Sequence, residues 1–210
     1  MRGIRVKEQI TQKQKETVFV VTGRIIGQLE EIRKNSSGKA TLAKLRNSIG
    51  RPLSETVDVW PIVFEQIPQN FLSKSGYLTK EEKAILTTLQ LYALHQQGQE
   101  KSTGKIRKKG EWDNIGMSLK TLRIGEDTAA IDRRFNTMIT ATTFEELSYH
   151  LRQLLRLLKA KQKEEKVNYA QLANDLYWFL NNKEENIRIN WSKAYYSRRD
   201  NIERGEENNE

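Results

Sequence analysis

The stretch TFEELSYHLRQLLRLLKAKQK, residues 143–163, decides the fold. Leu147, Leu151, Leu154, Leu155 and Leu158 recur at steps of four, three, one and three, which makes one apolar stripe at the helical period. Thr143 and Glu146 have the spacing of a capping box. Glu145 and Glu146 suit the positive end of a helix, and Lys159, Lys161 and Lys163 suit the other. The pattern therefore predicts an α-helix over the whole stretch. Around the same helix Arg152, Arg156, Lys159 and Lys163 follow at steps of four, three and four with no acid among them, so they are expected to share one face. At ~1.5 Å of rise per residue that row would span about 16 Å. It could follow several phosphates of a strand that rises about 3.4 Å per nucleotide. The ordinary alternative is a solvated face, because long basic side chains also cover apolar helices.

The bulk numbers fit a basic helical protein. The 210 residues are 37% hydrophobic and 30% charged, with 3 Pro and 12 Gly, and carry a net charge of +9. The segment Glu203–Glu210 has a net charge of −3, which leaves +12 on residues 1–202. A body that basic expects a polyanion or an acidic membrane surface. There is no Cys, so disulfides, thiolate metal sites and thiol nucleophiles are excluded. The first residues, MRGIRVKEQITQKQ, contain no apolar run of the signal-peptide kind. Val18–Val21 is far too short to span a bilayer. The expectation is a soluble, cytoplasmic protein with no membrane partner.

Read in order, the chain predicts helix after helix. Val18, Val21, Ile25, Leu29 and Ile32 form a stripe that ends near Lys34, and Asn35-Ser36-Ser37-Gly38 signals a turn. A short helix is expected over Thr41–Ile49, stopped by Gly50-Arg51-Pro52, and a short or kinked one over Ser54–Gln66 around Pro61. Thr79 with Glu82 is a second capping box, opening a helix that ends at His95–Gly98. Gln99–Glu111 reads as one long irregular basic stretch, the type of segment that is often functional or flexible. Further helices are expected around Ile115–Leu122, Ile131–Ile139, Asn168–Phe179 and Ile187–Tyr195. No run alternates at period two. The fold class is all-α: a compact helical bundle of two packed halves, 15–98 and 113–197. A basic loop at 99–112 joins them, with a flexible N-terminus at 1–14 and an acidic disordered tail at 198–210.

No catalytic constellation emerges. His95 and His150 lack partners at metal-ligand spacing. Gly38-Lys39-Ala40-Thr41 follows a helix and lacks the first glycine and the hydroxyl of a phosphate-binding loop. Asp175 sits in an apolar helical stretch, where a structural salt bridge is the expected role. Trp60, Tyr92, Phe135, Tyr169, Phe179, Trp191 and Tyr195 read as core. Trp112, beside the basic loop, could stack on a base or anchor the loop. The reading is of a non-enzyme with no metal and no cofactor.

Seven stretches together resemble a known family. They are LAKLRNSIGRP at 42–52, LQLYALHQQG at 89–98, IGMSLKTLR at 115–123, IDRRF at 131–135, LSYHLRQLLRLLK at 147–159, NYAQLANDLYWFL from 168, and IRINWSKAYY ending at 196. In order and spacing they are similar to the CasB family, the small subunit of the type I-E CRISPR Cascade complex. The resemblance implies an all-helical, non-catalytic protein, two copies of which lie head to tail within Cascade. There they help hold the opened DNA target beside the crRNA-bearing backbone. The implied partners are the other Cascade subunits, crRNA, target DNA and a second copy of the chain. It also implies that family basic positions fall on Arg46, Arg134 and Arg152. Helix geometry adds Arg156, Lys159 and Lys163, and the basic loop adds Lys105, Arg107, Lys108 and Lys109. Two rival readings are a free-standing helical DNA-binding regulator and a helical scaffold whose charge serves solubility alone.

Overall fold

The structure, a computed structural model, describes residues 16–105, 113–124 and 128–197. The expected flexible N-terminus 1–14 and acidic tail 198–210 lie outside the described residues, as do Arg107, Lys108, Lys109 and Trp112. The chain folds as α1 (Val18–Ile32), α2 (Ser36–Asn47), α3 (Trp60–Phe64), α4 (Lys80–Gln96), α5 (Ile115–Lys120), α6 (Thr128–Ile139), α7 (Phe144–Lys161), α8 (Tyr169–Leu180) and α9 (Glu184–Tyr196). Among the described residues there is no strand, only an isolated bridge between Gly104 and Val167. The fold is all-α and compact.

Most helices begin where the sequence supplies an oxygen for free amides. The Thr79 hydroxyl accepts from the Glu82 amide at 3.1 Å while the Glu82 carboxylate accepts from the Thr79 amide at 2.6 Å. Thr143 accepts from the Glu146 amide at 3.2 Å, but the Glu146 carboxylate reaches one residue further back, to the Thr142 amide at 2.8 Å. One boundary departs from expectation. Asn35 is an N-cap, accepting from the Gly38 amide at 2.7 Å, so α2 starts at Ser36 and not at Thr41. The chain reverses so tightly here that a β-carbon on Gly38 would lie 2.0 Å from the Ile32 carbonyl oxygen.

The core joins both sides of the basic stretch. α8 packs against α1 and α4, α5 against α9, and α7 against α4 and α6. Tyr169, Leu172 and Leu176 of α8 are buried with Val21 and Ile25 of α1 and Leu89 and Tyr92 of α4 in one cluster. Each such side chain contributes roughly 1.5–3 kcal/mol by leaving water.

The stretch from Gln99, expected to be irregular and flexible throughout, is tied to this core as far as Lys105. The Gln96 side chain donates to Gln99 and Lys101 carbonyls and accepts from the Thr103 amide. Glu30 accepts from Tyr92 at 2.7 Å and from Ser102 at 2.5 Å. Val167 bonds the backbone of Thr103 and Lys105. The Lys105 ammonium then meets Asp113 at 2.9 Å and Glu165 at 3.8 Å. Such polar links satisfy backbone groups that would otherwise be buried at a cost.

Trp191 and Tyr195 are core, as their spacing predicts: both are buried, and Tyr195 stacks on Phe135 at 3.7 Å between ring centroids. Asp175 has no salt bridge among the described residues. Its carboxylate accepts from Trp191 Nε1 and from Gln171 Nε2, each at 2.7 Å. Burial pushes its pKa up to about 6, against the pull of those two donors. Its folded value lies above its unfolded one, so its contribution to stability is full below about pH 3.8 and is lost as pH rises through about 6. Asp175→Asn should therefore gain on the natural protein between pH 4 and 7.5, by at most about 3 kcal/mol at ~1.4 kcal/mol per pKa unit. Urea unfolding of both proteins across that range measures the difference, and a flat difference would refute the cost of ionising Asp175.

Candidate nucleic-acid interface

The leucine face of α7 is buried along its whole length, with Leu147, Leu151, Leu154, Leu155 and Leu158 all in the core. That fixes the rotation of the helix and turns Arg152, Arg156 and Lys159 to the other side. Arg156 is exposed, and Arg152 and Lys159 are half-buried. Lys159 leans on the C-terminal end of α4. Its ammonium donates to the Leu94 carbonyl at 3.4 Å and to Gln97 Oε1 at 3.5 Å. Free carbonyls and the negative end of the helix favour a cation there. Burial, with Arg46 and Arg156 close by, holds the Lys159 pKa below its usual value.

Arg46 thus arrives from α2 to join the row on α7. Further toward the N-terminus of α7, the Arg152 guanidinium lies over the Tyr149 ring, 5.4 Å from its centroid. Its Nε is buried with no hydrogen-bond partner among the described residues. The turn after α2 comes close to it at Gly50, whose φ of +75° suits glycine.

These cations differ from several others on the surface. Lys44, Arg51, Lys83, Lys101 and Arg123 each have a carboxylate within ion-pair distance, at 3.7, 3.7, 2.6, 2.8 and 2.8 Å. Among the described residues none stands within that distance of Arg46, Arg152, Arg156 or Lys159. Surface pairs contribute little to stability, but they do cancel charge locally, and this cluster is left uncancelled.

The remaining expected residues are placed differently. α7 ends at Lys161, and Gln162 leaves the helix at φ −131°, ψ 67°, so Lys163 stands in the following turn and does not extend the row. Lys105 is enclosed by two carboxylates with its side chain 20% exposed, so its charge is neutralised within the fold. Arg134 is exposed on α6, and no hydrogen bond or ion pair among the described residues ties it to the row. Two residues were missed. Lys34 and Lys39, both exposed, line a groove of about 610 Å³ with Arg33 and Arg46, between the start of α2 and the end of α4. Lys39 and Arg46 are seven apart, two turns on one face, a signal readable only once α2 is seen to begin at Ser36.

The described residues hold no group of three or more His, Cys, Asp or Glu able to bind a metal ion, and no helix long and apolar enough to cross a membrane. His95 is buried, its Nδ1 2.8 Å from the Tyr169 hydroxyl, and burial plus Lys159 pushes its pKa down to about 4.

Residues 41–196 match the family described as CRISPR-associated protein Cse2. The chain belongs to that family. Three solved structures share the fold of this Cse2 member. CasB from Thermobifida fusca is 22% identical, with a TM-score of 0.68 over 86% of this chain and 98% of its own. CasB from M. ruber is 21% identical, with a TM-score of 0.62 over 86% and 93%. A chain of a CRISPR RNA-guided surveillance complex is 15% identical, with a TM-score of 0.65 over 86% and 94%. No curated protein matches.

A cluster of like charges has a thermodynamic signature. Arg46→Gln or Arg156→Gln should stabilise the isolated Cse2-family protein by a few tenths of a kcal/mol at low salt. The gain should vanish in about 0.5 M salt, where the Debye length is only a few ångströms. Thermal melts at the two salt concentrations check this, and a loss of stability at low salt would mean that the cations are compensated.

Proposed function

We propose that this Cse2-family protein is a non-catalytic small subunit of a type I-E CRISPR Cascade surveillance complex. There it holds nucleic-acid backbone without regard to sequence and stabilises the open complex of guide RNA and target DNA. The observation that carries the reading is the uncancelled cationic surface of Arg46, Arg152, Arg156 and Lys159, built from two helices on one face. The family match and the fold shared with a surveillance-complex chain support the assembly. The subunit works in the cytoplasm beside a second copy of itself, the other subunits, crRNA and target DNA, and uses no cofactor.

The energetics suit the task. Exchanging a DNA duplex for a guide–target heteroduplex is nearly balanced, so contacts to the backbone can tip it. Phosphate contacts position a strand and read no sequence. A free-standing regulator would place one recognition helix in the major groove, whereas this cationic surface is shared between α7 and Arg46 of α2.

Charge reversal of Arg156, which is exposed, should leave folding nearly intact, since exposed charges contribute little to stability. It should weaken open-complex formation on every target alike. Each lost phosphate contact should lower the salt slope of binding by roughly 0.7–0.9. Titrating target DNA into the reconstituted complex at several salt concentrations measures both. Unchanged affinity and slope with normal incorporation would mean that the row faces solvent, and lost incorporation would mean that it faces a protein.

A further inference from the structure

Beside the cationic row, and sharing Arg152 with it, lies a second groove of about 330 Å³ between α4, α7 and the turn after α2. We propose that this groove takes one unstacked base of a single-stranded nucleic acid whose phosphate is held by Arg152. The inference rests on the backbone-binding reading above and adds a base contact to it.

The groove has the chemistry that a base requires. Ile49, Leu86 and Phe144 give it apolar walls, and Thr87 and Gln90 give it polar groups. Its volume is at the small end of the range for organic-ligand sites, about 300–1,000 Å³. Tyr149 lines it with a ring that is 50% exposed. The Arg152 guanidinium lies over that ring and the His150 ring stands 5.3 Å from it at 79°, so a base stacks on the area these two leave exposed. Stacking on an aromatic ring tolerates any base, because every base has a π-face.

The charges choose a nucleotide strand over an uncharged guest. Three cations line the groove: Arg51, Lys83 and Arg152. Arg51 is paired with Glu55 and Lys83 with Glu145, and the bond from Lys83 holds the Glu145 carboxyl below its usual pKa. Arg152 has no carboxylate among the described residues and keeps a buried Nε unpartnered. Gly50, with no side chain, leaves the approach to Arg152 Nη1 open at 3.8 Å from where a β-carbon would stand. The same guanidinium continues into Arg156 and Lys159, so a strand following the row passes the mouth of the groove.

The test compares two single-stranded oligonucleotides of equal length and charge, one with bases and one made of abasic sugar-phosphates, binding to the full-length protein. The base-bearing strand should bind about tenfold tighter, within the range measured for one base–aromatic stack. Tyr149→Ala should abolish that preference, and Tyr149→Phe should retain it. Arg152→Gln should weaken both strands. A 2-aminopurine placed in the strand should be quenched on binding to the natural protein and not to Tyr149→Ala. Equal affinity for the two strands, or a preference that survives Tyr149→Ala, would overturn the base site and leave the phosphate row standing. No binding of either strand would overturn both. If Tyr149→Ala melts normally and keeps the preference for bases but fails to join the other subunits, a protein side chain fills the groove and the proposal is wrong.

Discussion

Burial of the α7 leucines constrains everything outside it. A helix with five leucines on one side has one favourable rotation against α4 and α6, and that rotation aims Arg152, Arg156 and Lys159 outward. A slip of one residue would turn the row by about 100° and put cations against the core. Burying an unpaired charge is far costlier than any gain available at the surface. The cationic face is therefore oriented chiefly by hydrophobic packing.

The cationic cluster works against the fold that carries it. Arg46, Arg156 and Lys159 repel one another, and the lowered pKa of Lys159 records that repulsion together with burial. The fold offsets part of it by setting Lys159 against the carbonyl end of α4. Carboxylates would offset more, and the chain uses them for Arg33, Lys105 and Arg123. Leaving them out at this face keeps the field available to a polyanion.

The helices were legible because their signals are local. Leucine spacing gave α7, and hydroxyl caps gave the starts of α4 and α7. Trp191 and Tyr195 were readable as core from their spacing with Ile187. What was not legible depends on contacts far apart in sequence. The approach of Arg46 to Lys159 is set by the packing of α2 on α4 and α7 on α4, which no window of sequence contains. Lys163 fits the helical period, but the helix stops two residues before it, and Gln162 instead donates to the Thr121 carbonyl at 3.1 Å. Asp175 looked like half of a salt bridge because burial of a carboxylate usually needs a cation, whereas here an indole and an amide serve. The groove beside Arg152 draws on four separate segments and left no local pattern to read.

The contact between Lys105 and Asp113 has a practical side. The two residues stand at the ends of a seven-residue span, and the ion pair holds those ends together at 2.9 Å. Joining ends that are already adjacent costs little more when the connection lengthens, because closure entropy grows only with the logarithm of its length. An epitope or a fluorescent peptide spliced between them would leave the clamp, and the helices on either side, where they are. The clamp thus marks a place to attach a reporter through which the protein could be followed in solution.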